Sequence, residues 1–353
     1  MDNEMKQNIT QEAEEVQTPT PAVKAKKRLS THQIILIVLA VTVLACVIAV
    51  VYRFKNWGQF IGQDEIFQDG LGEYSDTFDM ILPLIDVEGN VVTPKKGETL
   101  NILLFGNAPF ADDRDSSDGL ANMIAQMTGA NVINCSISGS YMASVEPWYN
   151  GNEPMDAFIP YWLVQRGIYH DNPYNDHYYE DAKAQMGDAY PAEADAIVDY
   201  LASTDLSQID VFVFCYDGSD YLMGHPMYSD DRDNDIQQFT GCLEASIEEL
   251  QWNCPNSRII VLSPPYAFAA EKDENGEYLS SDIKTYGWDV LSTYVIKEYG
   301  SCASRQVTFV DNLYGTITQD NAKDYLIDNL HLNVAGRKKI AQRFVYALNY
   351  YDN

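Results

Sequence analysis

From residue 100 onward the sequence alternates short apolar runs with stretches of helical periodicity, and this alternation constrains the fold more than any other feature. Leu100 to Phe105, Asn131 to Asn134, Ile209 to Cys215, Arg258 to Leu262 and Val307 to Val310 read as buried strands. Asp118 to Thr128, Ile236 to Trp252, Trp288 to Glu298 and Val334 to Asn349 carry apolar residues at helical spacing. Strands that are apolar along their whole length must be covered on both faces. In a chain alternating strand with helix, this implies an α/β fold with a parallel sheet between two helical layers. Ligands of such sheets bind beyond the carboxyl ends of the strands. The segments of interest are therefore Gly106-Asn107-Ala108-Pro109-Phe110-Ala111-Asp112-Asp113-Arg114-Asp115, Cys135-Ser136-Ile137-Ser138-Gly139-Ser140 and Tyr216-Asp217-Gly218-Ser219-Asp220-Tyr221.

Upstream, Ile34 to Tyr52 is apolar apart from Thr42, long enough for one transmembrane helix within residues 33–53. Lys24, Lys26, Lys27 and Arg28 precede the run, and only Arg53 and Lys55 follow it closely. The positive-inside bias then predicts a single-pass plasma-membrane protein with a cytoplasmic N-terminus and an extracellular C-terminal domain. A leader of over thirty residues and the lack of a small-x-small site argue against a cleaved signal peptide. Cys46 lies within the apolar run, so it reads as a membrane-buried thiol. Residues 1–30 are too poor in large apolar groups to offset the entropy of ordering, which predicts a disordered cytoplasmic tail. Residues 54–99 read as a juxtamembrane stalk with a hairpin near Gly89-Asn90, and 100–353 as the ectodomain.

Within the ectodomain, residues 141–205 interrupt the alternation with Trp148, Tyr149, Tyr161, Trp162, Tyr169, Tyr174, Tyr178 and Tyr179, and read as an insertion. Two uses stand open for these aromatics: a sugar- or polymer-binding face beside a cleft, or the insertion's own small core.

Charge narrows the partners. The first 55 residues hold five acidic and seven basic residues; the remainder carries 47 acidic and 16 basic, a formal net charge of −31. Phosphate polymers would be repelled, which excludes nucleic acid as a partner. Five cysteines lie beyond the apolar run, an odd number, so this is no disulfide-built scaffold. Cys135 and Cys215 follow strand-like runs and read as core residues; a pairing of Cys254 with Cys302 is left open.

Asp328-Asn329-Leu330-His331 places a carboxylate three residues before an imidazole, just ahead of the C-terminal helix. An Asp beside a His selects the imidazole tautomer and stabilises the imidazolium, so the other ring nitrogen can take a proton. Catalysis through a protein nucleophile also needs a hydroxyl or thiol opposite that nitrogen.

Over about residues 100 to 350 the chain resembles the SGNH, or GDSL-type, hydrolase family, whose four motif blocks sit on a flavodoxin-like three-layer sheet. Asp328-x-x-His331, with a following Asn333 and Gly336, is similar to the block that supplies the family's triad Asp and His. Asn134-Cys135-Ser136-Ile137-Ser138-Gly139 is similar to the second block, which implies that Ser136 or Gly139 donates a backbone N–H to an oxyanion. Asp217-Gly218-Ser219-Asp220 stands where the family has Gly-x-Asn-Asp, so Ser219 or Asp220 replaces the oxyanion Asn. Gly106-Asn107-Ala108 stands where it has Gly-Asp-Ser, and Ala108 offers no nucleophile. Ser263-Pro264-Pro265 is a further, weaker likeness.

Three chemistries remain open at this stage. A displaced serine (Ser116, Ser117, Ser136, Ser138 or Ser140) replaces the nucleophile, although such serines also cap helices and turns. Alternatively, Asp112, Asp113, Asp115, Asp217 and Asp220 with His331 hold a divalent cation, against which Asp112 and Asp113 pair with Arg114 or cap a helix. The third is a site without catalysis. Asp231-Arg232-Asp233-Asn234-Asp235 fails as a calcium loop, having Ile236 where glycine is needed and Cys242 where the bidentate Glu belongs. His170 and His177 lack ligand spacing. No cofactor is expected. The sequence thus points to a membrane-anchored protein acting on acyl esters of cell-surface or extracellular glycans, or to a non-catalytic glycan-binding or envelope-assembly module.

Overall fold

The computed structural model describes residues 77–85, 90–92, 99–170, 173–228 and 234–351, with scattered helical positions between 39 and 47. The expected tail of 1–30, nearly all of the apolar run 33–53 and much of the stretch 54–99 lie outside the described residues. Among the described residues, no helix is long and apolar enough to cross a membrane. All sheet strands belong to the compact unit Gly72–Asn353.

Five parallel strands form the central sheet: β1 Asn101–Gly106, β2 Asn131–Asn134, β3 Val211–Cys215, β4 Arg258–Leu262 and β5 Thr308–Val310, in spatial order β2-β1-β3-β4-β5. β3 is Val-Phe-Val-Phe-Cys and buried throughout, as a strand covered on both faces must be. The longer helices are α1 Leu120–Thr128, α2 Pro160–Tyr169, α3 Pro173–Met186, α4 Ala194–Ser203, α5 Phe239–Asn253, α6 Leu291–Arg305 and α7 Val334–Leu348. α1 packs on α7, while α2 packs on both α4 and α5, and α5 packs on α6. Right-handed crossovers place these two groups on opposite faces of the sheet, giving three layers. The order reverses between β1 and β3, so the chain leaves these strands toward opposite faces. In open sheets of this kind the ligand-binding crevice lies at the carboxyl ends of the strands where the order reverses.

Helix ends follow local chemistry. Gly129 closes α1 in the left-handed conformation at φ 69°. The Asn333 side chain caps α7 by accepting from the Gly336 N–H at 2.9 Å. α6 runs to Arg305, well past the expected stop at Glu298; Gly300 meets no neighbour and interrupts nothing.

Two expectations need correction. The described part of the stretch read as a stalk, from residue 77, lies on the domain: Met80 and Phe309 exchange backbone hydrogen bonds of 2.9 Å, covering the outer edge of β5. Leu84–Ile85 then pairs with Val91–Val92 in antiparallel register, where the sequence led to the expectation of a hairpin near Gly89-Asn90. Segments this short carry little periodicity, and Pro83 breaks the one apolar run. The insertion 141–205 is not an excursion from the alternation, because α2 and α4 within it build part of one helical layer. Trp162, Tyr178 and Tyr179 are core residues, whereas Trp148 and Tyr169 are exposed. The open question of a disulfide is also answered: Cys135, Cys215, Cys242, Cys254 and Cys302 are all free and buried.

Candidate active site

At the end of β1 the chain passes through Gly106, where a Cβ would lie 2.2 Å from the Cys215 carbonyl oxygen, so only glycine allows this approach of β1 to β3. Asn107 follows, buried. Its Nδ2 donates to the Asp217 Oδ1 at 2.8 Å and to the Ser140 carbonyl at 3.0 Å, and its Oδ1 accepts from the Asp217 N–H at 2.9 Å. Asn107 is therefore spent on tying together the ends of β1 and β3 and the turn after β2. Ala108 begins a one-turn helix, Ala108–Ala111, and its N–H has no acceptor among the described residues.

Asp217 is fully buried, and its Oδ1 also accepts from the Ser219 N–H at 2.9 Å. Its Oδ2 is buried without a hydrogen-bond partner among the described residues. Burial raises its pKa above the usual 3.8 against the opposing pull of Ser219, Asn107 and His331.

The Asp328–His331 pair forms as its spacing implied. His331 Nδ1 lies 2.8 Å from Asp328 Oδ2, and Asp328 Oδ1 accepts from the N–H groups of Leu330 and His331, both at 2.8 Å. Backbone bonds from Ile327 to the His331 carbonyl and from Phe268 to the Asn329 carbonyl fasten this loop. Arg337, buried on the inner face of α7, donates to the Leu332 carbonyl at 2.8 Å, the Asp118 carbonyl at 2.9 Å and the Asp113 carboxylate at 2.5 Å. It thereby joins the histidine loop to the segment after β1.

Burial raises the pKa of Asp328, but the two N–H groups and the imidazole outweigh it and hold the carboxyl below 3.8. For His331, burial lowers the pKa, and the Asp328 hydrogen bond with the charges of Asp328, Asp112 and Asp217 leaves it above 6.5. Burial likewise raises Asp112, against the charges of His331 and Arg337. Asp112 and Asp217, rather than a hydroxyl, are the groups whose charges reach the imidazole.

Among the described residues no hydroxyl makes a hydrogen bond to the His331 ring. The hydrogen bonds of the candidate serines run to other groups. Ser136 Oγ donates to Asn134 Oδ1 at 2.6 Å, and Arg114 donates to the Ser136 carbonyl at 2.5 Å. Ser140 Oγ donates to the Ile137 carbonyl at 2.9 Å, Ser116 Oγ accepts from the Asp118 N–H, and the Ser138 N–H goes to Glu193. Ser117 enters only through its carbonyl, which accepts from Gln126.

As an oxyanion donor Ser136 is compromised, because its N–H is taken by Asn134 Oδ1 at 3.1 Å. Gly139 sits in a left-handed turn at φ 73°. Ser219 opens the short helix Ser219–Met223. Asp220 is turned away into the fold, accepting from the N–H groups of Met142 and Ala143 at 2.9 Å and from His225 Nδ1 at 2.8 Å. With Asp113 on Arg337 and Asp220 on His225, the five carboxylates do not converge. Among the described residues no cluster of three or more His, Cys, Asp or Glu side chains is placed to hold a metal ion.

Arg337 and the Asn107–Asp217 tie went unnoticed in the sequence. Arg337 stands in Gly-Arg-Lys-Lys, which reads as a solvated basic face. Only its three-residue offset from Ile340, on the stripe continued by Ala341, Phe344, Ala347 and Leu348, marks it as inward.

No protein-family model matches the sequence, and no curated protein matches it. Solved structures similar to the chain include a protein from Lactobacillus plantarum, 19% identical over 72% of this chain and 98% of its own, with a TM-score of 0.47. A carbohydrate esterase family 2 enzyme from Corynascus thermopiles (Myceliophthora fergusii) is 16% identical over 74% and 69%, with a TM-score of 0.43. Est24, a carbohydrate acetylesterase from Sinorhizobium meliloti, is 12% identical over 70% and 99%, with a TM-score of 0.40.

Proposed function

We propose that this chain is a divergent SGNH-type hydrolase or transferase that cleaves acyl esters through the Asp328–His331 pair, with water or an acceptor hydroxyl as the attacking group in place of a serine. The observation that carries this reading is the pair itself. The 2.8 Å contact fixes the tautomer, and Asp328 is in turn held by two backbone N–H groups. Nε2 is then the nitrogen left for proton transfer, on a ring open to solvent on one side. As the attacking oxygen adds to the ester carbonyl, Nε2 takes its proton; as the tetrahedral intermediate collapses, the imidazolium returns that proton to the departing alcohol. The Ala108 N–H is the donor suited to the oxyanion. With the apolar run 33–53 as an anchor, acyl esters on cell-surface or extracellular glycans are the substrate class.

Ala108 favours a second reading, a non-catalytic module that binds a glycan or assists envelope assembly with the same crevice. Purified protein assayed on short acyl esters and acetylated glycans, beside His331→Ala, separates the two. Turnover that falls by about 10²- to 10⁴-fold in the variant supports the general base. No turnover in the parent overturns it in favour of the module.

A further inference from the structure

A second cleft lies between α2 and α5, apart from the residues around His331. It encloses about 720 Å³ and is walled by Trp148, Trp162, Tyr169, Glu248, Glu249 and Trp252, among others. Trp148 is 71% and Trp252 85% exposed. Neither indole stacks on another ring or makes a hydrogen bond among the described residues, so two large apolar faces stand open to solvent at one cleft.

The charged side chains among the described lining residues are acidic. Among the described residues no Lys or Arg lines the cleft. Glu248 is compensated by Arg305 at 3.0 Å. Glu249 accepts from neutral donors, Gln165 at 2.7 Å, the Tyr169 hydroxyl at 3.0 Å and Asn253 at 3.4 Å, and among the described residues its charge has no cationic partner. An anionic polymer is excluded here. The favoured occupant presents flat C–H faces to indoles, hydroxyls to carboxylates, and positive charge to Glu249. The volume suits several rings rather than a lone ammonium group.

We propose that this cleft binds a glycan containing amino sugars with free ammonium groups. It adds a substrate-holding surface to the ester chemistry proposed above without depending on it. Ser140, bonded to Asn107 at the crevice, and Trp148 are separated by eight residues of chain, at most about 28 Å of extended backbone.

Titration calorimetry of the full-length chain in detergent, with a glucosamine tetramer, its N-acetylated counterpart and cellotetraose, tests this. The glucosamine tetramer is expected to bind, and to bind more weakly as salt rises to about 0.5 M. Trp252→Ala and Trp148→Ala are expected to weaken it about tenfold, roughly one stacked ring's worth. Glu249→Gln is expected to flatten the salt dependence. The proposal is overturned if the unsubstituted chain does not bind the glucosamine tetramer, if the acetylated or neutral tetramer binds equally well, or if Trp252→Ala binds unchanged. Turnover of a short soluble ester stays the same in Trp252→Ala. Failure of the cleft and failure of the ester chemistry are thus read in separate assays.

Discussion

Asn107 and Asp217 hold each other twice, side chain to side chain at 2.8 Å and side chain to backbone at 2.9 Å, across the carboxyl ends of the two strands where the sheet order reverses. The carboxyl ends of β1 and β3 are thus locked together by a buried amide and a buried carboxylate. Asn107→Ala would strand both the Asp217 carboxylate and its N–H in the interior. The expected cost is about 2 to 4 kcal/mol, read as a lower denaturant midpoint at unchanged slope.

The electrostatics of His331 set the pH dependence. Because its pKa lies above 6.5, the neutral imidazole that acts as base dominates only at a pH above that value. The rate is therefore expected to rise with pH through an inflection above 6.5. Asp217→Asn and Asp112→Asn each remove a charge that favours the imidazolium, so each moves the inflection down. Imidazole titration followed by nuclear magnetic resonance gives the same pKa independently of activity. An inflection unmoved by both substitutions would show that the two carboxylates do not face the ring.

Ala108→Ser restores a hydroxyl at the first position after Asn107. If the crevice is otherwise competent, the variant gains ester turnover and forms an acyl-serine detectable as a mass increase after mixing with an activated ester. A variant that folds, keeps parental activity and forms no adduct would place position 108 outside the reach of His331.

How much of this was legible depends on sequence distance. The Asp328–His331 contact spans three residues and is dictated locally, so the sequence showed it. The strands announced themselves through short apolar runs, which reflect full burial in β3 and β5 and near-full burial in β1 and β4, while the edge strand β2 is only partly buried. The Asn107–Asp217 tie spans 110 residues and the Asp113–Arg337 pair 224, and no local pattern joins such partners. Met80 is similar: its role as a cover for the β5 edge exists only because Phe309 lies beside it. Asp220 shows the converse. Its position in the motif pointed to the crevice, yet two N–H donors from the loop after Ser140, together with His225, draw it inward. A carboxylate follows its hydrogen-bond donors rather than its place in a motif.

Glu298 offers a test of the fold apart from the site. It lies on α6, 1% exposed, with Oε2 unpartnered among the described residues. Burial first, then the charges of Asp220 and Asp311, pushes its pKa well above 4.5, so the folded protein keeps it as a neutral acid. The unfolded chain ionises it near 4.5. Above that pH the unfolded state releases a proton that the folded state retains. The contribution of Glu298 to stability is thus full below pH 4.5 and is lost as pH rises toward its folded pKa. Glu298→Gln keeps the shape and removes the titration. Its melting temperature is expected to match the parent at about pH 4 and to exceed it at about pH 8. A gap of the same size at both values would mean that Glu298 is ionised in the fold, held by a partner that the burial of its side chain conceals.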